Sequence, residues 1–197
     1  MPQYLPVDPA QCALLIMDYQ PLVLDLVGDG DKLVERANDA IGVARRHGVS
    51  VGFVRVAFSD DDYAAVPATN RAFAAVAAGR QLHVSAPATA IHPALARRPD
   101  DIIVRKTRVS AFSTTNLDEQ LTNLGITTLV LAGLTTSGVV LSTVREAADR
   151  DYRLVLLSDC VGDPRREVHD VLMEQVFPGQ ADIITTAGLS SLLEGPA

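Results

Sequence analysis

Three apolar, strand-like segments of this chain end in residues that could do chemistry. Asp18 follows the first apolar run, Lys106 follows the third, and a small, polar run from Gly133 to Val140 follows the fourth. Because ligands bind outside the carboxyl ends of parallel strands, we expect these three features to share one edge of a sheet. An ammonium group there would keep a carboxylate ionised and stabilise an oxyanion, while the carboxylate exchanged a proton with water or a thiol. The simpler alternative is that Asp18 caps a turn and Lys106 is a solvated surface residue.

The run from Gly133 to Val140 leads from an apolar strand into a helix. A turn of this kind leaves backbone N–H groups free at the sheet edge, where they can bind an oxyanion. Thr135 and Thr136 could also be ordinary turn residues or helix caps. The side chain of Val139 carries no atom that could attack a carbonyl.

Apolar runs alternate with segments of helical periodicity along the chain. The predicted strands are Cys12–Met17, Val49–Phe58, Ile102–Val104, Thr127–Ala132, Arg153–Leu157 and Ala181–Thr185. The predicted helices are Asp31–His47, Leu117–Leu124, Ser137–Asp149, Arg165–Val176 and a short one at Leu189–Leu193. This alternation predicts an α/β fold, a three-layer α/β/α domain with a doubly wound, six-stranded parallel sheet. No repeat or shift in composition divides the chain, so residues 1–197 are predicted to form a single domain.

The segment 59–99 is too long to be a plain connection, and we expect it to hold short helices and a functional or interface loop. It contains three consecutive aspartates, residues 60–62, which could bind a hard cation but are more simply a solvated acidic loop. Histidines are scattered along the chain rather than clustered, so no metal site is predicted. These histidines are His47, His83, His92 and His169.

Composition limits the classes of partner. The formal net charge is -7, from 24 acidic and 17 basic residues, and no cluster of lysine and arginine offsets it. This argues against a nucleic-acid partner. The sequence has no apolar run of about 18 residues, and Met1–Tyr4 does not resemble the start of a signal peptide. We therefore expect a soluble, cytoplasmic protein with no membrane partner.

The chain has two cysteines, Cys12 and Cys160, which are far apart in sequence. Their spacing predicts neither a disulfide framework nor a zinc site. Cys12 is expected to be a small buried hydrophobic residue. Cys160 lies at the correct edge of the sheet for a nucleophile, but no histidine is predicted beside it, so a structural role is favoured.

The turn and the lysine segment both resemble the isochorismatase-like superfamily, which includes the cysteine hydrolases. In the turn, Gly133, Thr136, Val140 and Thr143 match the superfamily's pattern, whereas Val139 occupies the position of its nucleophilic cysteine. The segment from Lys106 to Phe112 matches the superfamily's K-x-R-x-S-A-F sequence. The order and spacing of these matches extend over roughly the whole chain.

The resemblance implies a role for each of these residues. Asp18 and Lys106 correspond to the catalytic aspartate and lysine. The turn residues Leu134, Thr135, Gly138 and Val139 correspond to the oxyanion-binding turn, and the Leu134–Thr135 peptide bond is expected to be cis. Without a cysteine, the covalent thioester route is closed at this position. The residues that we expect to line a substrate pocket are Arg108, Phe58 and Phe112.

The sequence thus predicts a hydrolase of a small metabolite that uses Asp18 and Lys106 for acid–base and electrostatic catalysis, without a cysteine nucleophile. Isochorismatases also lack the cysteine, and in them an aspartate protonates a vinyl ether before water completes the hydrolysis. The alternative is a catalytically silent protein that binds a small molecule or a partner on the same fold. No cofactor is predicted, and the resemblance implies a homo-oligomer, either a dimer or a tetramer.

Overall fold

The computed structural model of the protein describes Leu5 and residues 7–194, which form a sheet of six parallel strands. The spatial order of the strands is β3-β2-β1-β4-β5-β6, and this confirms the predicted α/β class with a six-stranded parallel sheet. The strands are β1 (Cys12–Met17), β2 (Ser50–Val56), β3 (Ile102–Lys106), β4 (Thr128–Leu134), β5 (Arg153–Gly162) and β6 (Asp182–Ile184).

Eight α-helices accompany the strands in the described part of the chain. They are α1 (Pro21–Leu24), α2 (Gly30–Arg46), α3 (Asp60–Ala64), α4 (Ala74–Ala78), α5 (Leu117–Asn123), α6 (Leu141–Ala148), α7 (Arg166–Val171) and α8 (Thr186–Glu194). Short 3₁₀ turns occupy Pro9–Gln11, Pro87–Thr89 and Phe177–Gly179, and wide π-type turns occupy Thr136–Val140 and Leu172–Val176. None of these helices has the length and apolar composition needed to cross a membrane, within the residues that the structure describes.

The sheet is buried between two apolar clusters, one on each face. Strand β1 is buried along its whole length, and its side chains alternate between the clusters. Leu14 and Ile16 pack with α2 and α8 on one face, whereas Leu15 and Met17 pack with α5 and α6 on the other. This double burial explains why β1 reads as a continuous apolar run.

The strand order reverses beside β1, because the chain first builds β2 and β3 on one side and then β4, β5 and β6 on the other. Met17 pairs with Val54 of β2 and with Gly133 of β4. The next residue, Asp18, therefore leaves the sheet where the connections diverge. In a doubly wound sheet, this crevice is where ligands bind.

Two elements near this edge differ from the predictions. Strand β5 continues to Gly162 rather than ending at Leu157, and its pairing with β4 contains a bulge: Leu131 pairs with Leu156, but Gly133 pairs with Val161. The helix predicted to begin at Ser137 begins at Leu141 instead, because the backbone at Gly138 is not helical.

The segment between β2 and β3 contains the short helices α3 and α4, as expected from its length. It begins with a bridge between Phe58 and His83 and builds a small apolar cluster over the end of β2. The acidic run is the first turn of α3, where Ser59 and Asp62 form a reciprocal capping box. Acidic residues stabilise the N-terminus of a helix, so this run has a structural explanation.

Candidate active site

Asp18 is held at the carboxyl end of β1 in an uncommon backbone conformation. Its N–H donates to the Val54 carbonyl at 2.8 Å, and its φ of 56° lies in the left-handed region that non-glycine residues rarely adopt. The residue is only 5 % exposed. The end of β1 therefore turns a carboxylate into a site that is nearly closed to solvent.

Lys106 reaches Asp18 from β3, two strands away in the sheet. It is the last residue of β3 and pairs in register with Val56 of β2. Its Nζ lies 2.8 Å from Asp18 Oδ2 and also donates to the Arg108 carbonyl at 3.1 Å. The side chains of Lys106 and Asp18 are 2 % and 7 % exposed. The two residues predicted to meet therefore form a buried ion pair.

The ion pair gives a hydrogen bond to only one of the two carboxylate oxygens of Asp18. Its Oδ1 atom is buried and has no hydrogen-bond partner among the described residues. Burial raises the pKa of Asp18 above its ordinary value, and the charge of Lys106 opposes that rise. A buried polar atom without a partner is rare in folded proteins and marks a place where a ligand or a proton could bind.

The turn after β4 has the predicted cis peptide bond between Leu134 and Thr135. Within the turn, the N–H groups of Gly138 and Val140 donate to the Thr135 carbonyl at 3.1 and 3.3 Å. The Ser137 N–H donates to Asp163 Oδ2 at 2.8 Å. Gly138 was predicted to be part of the oxyanion-binding turn, and its N–H closes that turn.

Glycine is required at two positions around this turn. A Cβ atom at Gly138 would lie 2.8 Å from Thr135 Oγ1, and one at Gly133 would lie 2.9 Å from Val140 Cγ2. Val139 is 2 % exposed and packs in the apolar cluster that includes Met17. The turn is thus tightly packed, and the predicted nucleophile position holds a buried isopropyl group.

Neither cysteine has the properties of a nucleophile. Both are completely buried, and burial raises the pKa of each thiol to about 12. The Cys160 thiol lies 3.2 Å from Thr186 Oγ1, and the Cys160 carbonyl accepts a hydrogen bond from Tyr19 at 2.9 Å. Thiolate is the reactive form of cysteine, so both residues are inert near neutral pH.

The three predicted pocket residues lie in different surroundings. Arg108 donates to the Thr107 carbonyl at 2.6 Å, and Phe58 is buried against Tyr63, with ring centroids 5.5 Å apart. Phe112 packs on Tyr152, which precedes β5. The backbone carbonyl of Arg108 accepts a hydrogen bond from Lys106 of the ion pair. The contribution of these side chains to substrate binding stays a prediction.

Gln20 is a buried residue of the site that the sequence patterns do not reveal. It is completely buried, and its side-chain N–H groups donate to the carbonyls of Val56 and Thr89 at 3.0 and 2.7 Å. Its side-chain oxygen accepts the Val56 N–H at 2.9 Å. Gln20 thus fastens the chain just after Asp18 to β2 and to the segment that precedes β3. The only signal in the sequence is its spacing of two residues from Asp18.

In the part of the chain that the structure describes, no three side chains of His, Cys, Asp or Glu come together in a way that could hold a metal ion. The ion pair and the turn bring a carboxylate, an ammonium group and backbone N–H groups to this edge of the sheet.

Comparison with known proteins identifies the family. The model of the isochorismatase domain matches residues 12–188. An isochorismatase family protein of Bacillus subtilis (strain 168), YwoC, is 31 % identical over 172 residues, which cover 87 % of this chain and 88 % of that protein. The maleamate amidohydrolase of Pseudomonas putida (strain KT2440) is 29 % identical over 99 residues, which cover 50 % of this chain and 46 % of that enzyme.

The fold also matches that of a solved structure. The crystal structure of a cysteine hydrolase from Pseudomonas syringae superimposes with a TM-score of 0.86 at 22 % identity, covering 98 % of this chain and 99 % of that one. At this identity, the likeness concerns the fold alone. The domain match and the relative from B. subtilis together show that this chain belongs to the isochorismatase family.

Proposed function

We propose that the protein is a hydrolase of a small metabolite in which Asp18 is the general acid and base and no cysteine nucleophile takes part. The observation that carries this proposal is the state of the Asp18 carboxylate. One oxygen is held by Lys106 at 2.8 Å, while the other is buried without a partner among the described residues. A substrate atom or a water molecule could form the missing hydrogen bond to that second oxygen.

The raised pKa of Asp18 suits a group that must carry a proton at a pH where exposed carboxyls are ionised. In the proposed reaction, the Asp18 carboxyl donates its proton to the substrate as the bond to the leaving group breaks. Water supplies the hydroxyl group of the product and releases one proton, which returns to Asp18. The carboxyl is thereby regenerated and no other reactant is consumed.

Lys106 and the turn would stabilise the charge that develops. The ammonium group of Lys106 is fixed by Asp18 and by the Arg108 carbonyl, so it is already oriented before a substrate arrives. Because the N–H groups of Ser137 and Gly138 are engaged, Thr135 and Val139 are the proposed oxyanion donors. Thr135 and Val139 both belong to the turn that the sequence predicts to bind an oxyanion.

Three positions support a reaction without a cysteine nucleophile: the predicted nucleophile position and the two cysteines of the sequence. Val139 has no nucleophilic atom, and both cysteines of the sequence are buried with a thiol pKa of about 12. The relative from P. putida is named an amidohydrolase, so amides belong among the candidate substrates. Vinyl ethers and esters belong there too, because proton donation from Asp18 could assist cleavage of either.

The test is turnover of a panel of vinyl ethers, amides and esters by the wild-type protein and by Asp18→Asn. General acid–base catalysis contributes about 10²–10⁴-fold, so Asp18→Asn is expected to lower turnover at least about a hundredfold. Asp101→Asn is the matched control, because Asp101 is also in a mostly buried ion pair, with Arg45, but lies before β3. Equal losses in both variants would contradict the proposal.

The second candidate is a catalytically silent protein that binds a small molecule on the same fold. The observation that favours it is Val139, a buried apolar side chain at the predicted nucleophile position. If no member of the panel is turned over and a metabolite binds measurably by calorimetry, this candidate replaces the hydrolase.

A further inference from the structure

The turn after β4 is held by two side chains from a neighbouring part of the chain. Thr136 Oγ1 and His169 Nδ1 share a hydrogen bond of 2.9 Å. Asp163 Oδ2 accepts from both the N–H and the hydroxyl of Ser137, at 2.8 and 2.6 Å. Asp163 follows β5 directly and His169 lies in α7. Two consecutive residues of the turn are thus anchored from the same crossover segment.

The bulge in β5 places Asp163 beside the turn. Without it, the regular pairing of Leu131 with Leu156 would place Asp159 opposite Leu134. The bulge adds three residues to β5, so Gly162 takes that place and Asp163, rather than Cys160, follows it. Asp159 instead accepts hydrogen bonds from the N–H and hydroxyl of Thr186. Bulges beside active sites commonly redirect side chains in this way.

The turn depends on such anchors because its own backbone is irregular. Gly138 has φ and ψ of -100° and -106°, outside the helical region, so the turn is not a continuous piece of α6. Thr136 is completely buried, and water therefore cannot replace His169 as the partner of its hydroxyl. Burial alone would raise the pKa of Asp163, but the hydrogen bonds from Ser137, together with the N–H and charge of Arg165, hold that pKa below its usual value.

We infer that His169 and Asp163 are positioning residues of the active site, which fix the N–H groups of Thr135 and Val139 through the side chains of Thr136 and Ser137. This inference rests on the proposed function, because it assigns those N–H groups to the reaction. Thr136 is completely buried, and its hydroxyl bonds His169. That contact is assigned to the support of the turn rather than to a nucleophile–base pair. Its effect on the reaction must pass through the geometry of the turn.

The test removes each partner of the hydrogen bond between Thr136 and His169 in turn. His169→Ala removes the imidazole, and Thr136→Val removes the hydroxyl while keeping the shape of the side chain. His169→Asn is the conservative variant, because its amide can again bond the Thr136 hydroxyl. Arg166→Ala is the matched control: Arg166 is in α7 as well, but its side chain is 85 % exposed and pairs with Asp170.

Two measurements are made on each variant. Hydrogen exchange by NMR reports the backbone N–H groups of Thr135 and Val139, with those of β1 as the internal reference. Steady-state kinetics on any substrate found with the panel gives kcat and KM separately. Small misplacements of catalytic groups cost up to about a hundredfold in rate. We expect His169→Ala and Thr136→Val to lower kcat about tenfold to a hundredfold, with KM changed less than about threefold.

The same two variants are expected to speed exchange in the turn but not in β1, and His169→Asn is expected to restore most of both properties. If His169→Ala and Thr136→Val match Arg166→Ala in exchange and in kcat, the inference is overturned. If KM rises and kcat is unchanged, it is overturned as well. Should the wild-type protein turn over no substrate, the proposed function fails, and unchanged exchange in Thr136→Val would separately refute the anchoring.

Discussion

Strand β3 has an ion pair at each end, and the two pairs are built differently. At its start, Asp101 accepts from Arg45 through both carboxylate oxygens, at 3.0 and 2.8 Å, and from the N–H of Arg98 at 2.5 Å. At its end, Lys106 bonds one oxygen of Asp18 and the other oxygen has no partner among the described residues. The first carboxylate is fully satisfied and the second is not.

This difference separates a structural pair from one that could react. A carboxylate whose oxygens are both bonded has little capacity left for a ligand, and here one nitrogen of Arg45, Nη2, donates to both oxygens of Asp101. Lysine offers a point charge, which leaves the remaining oxygen of Asp18 open. Burial of an ion pair is therefore not enough to identify a site, because the number of satisfied oxygens distinguishes these two.

The largest expected effect comes from removing one cation at a time. Lys106→Met would leave Asp18 buried without its charge partner, and breaking a buried pair in this way costs about 3–5 kcal/mol. Arg45→Met is expected to cost less, about 1–3 kcal/mol, because Asp101 keeps the Arg98 N–H. Urea unfolding at pH 7 measures both, and turnover should be lost in Lys106→Met alone. Equal losses of stability and activity in the two variants would remove the distinction between the pairs.

The second test compares two amide side chains that fasten the β2–β3 segment near the two pairs. Gln20 bonds Val56 and Thr89 from a completely buried position, whereas Asn38 bonds Ala94 and Ala96 near the surface. Gln20→Leu leaves buried backbone groups of Val56 and Thr89 without hydrogen-bond partners, and it should lower the free energy of unfolding by about 2–3 kcal/mol.

Asn38→Leu is the matched control for Gln20→Leu. Water can replace its exposed hydrogen bonds, so the expected loss is under about 1 kcal/mol. Urea unfolding of the two variants side by side is the measurement. A loss in Asn38→Leu as large as that in Gln20→Leu would show that burial does not set the strength of these contacts.

The third test uses pH and has the smallest expected effect. Because the folded-state pKa of Asp18 is raised, its proton stabilises the fold below the unfolded pKa of about 3.9, and this contribution is lost as pH rises through the folded pKa. The wild-type protein should therefore lose stability relative to Asp18→Asn over that window, by at most about 1.4 kcal/mol per pH unit. Urea unfolding between pH 4 and pH 8 measures the difference. Parallel curves for the two proteins would mean that Asp18 does not titrate as its burial implies.

Much of the fold could be predicted because β1 and its neighbours are buried on both faces and read as apolar runs. Strand β5 was predicted too short, because Ser158 and Asp159 interrupt the apolar run. In the structure, their side chains bond Ile184 and Thr186 and remain within the strand. In the sequence alone, polar residues inside a strand look the same as residues that end a strand, because the distant residues that they bond are not known.

The residues of the site also include some that could be predicted from the sequence and some that could not. Asp18 and Lys106 could be predicted to meet because each ends a strand of a parallel sheet. Gln20 and His169 could not be found, because their roles depend on contacts with residues 36 and 33 positions away. The predicted helix start at Ser137 was wrong because a single residue, Gly138, leaves the helical region there.

The bulge of β5 has an evolutionary consequence. Because the shifted register of β5 against β4 brings residue 163 behind the turn, restoring the regular register would put Cys160 in the place that Asp163 occupies. Insertions and deletions in this strand can therefore change the neighbours of the turn in one step. Related proteins should be compared by strand length here as well as by residue identity, because an alignment without gaps would pair Asp163 with a residue that occupies a different place beside the turn.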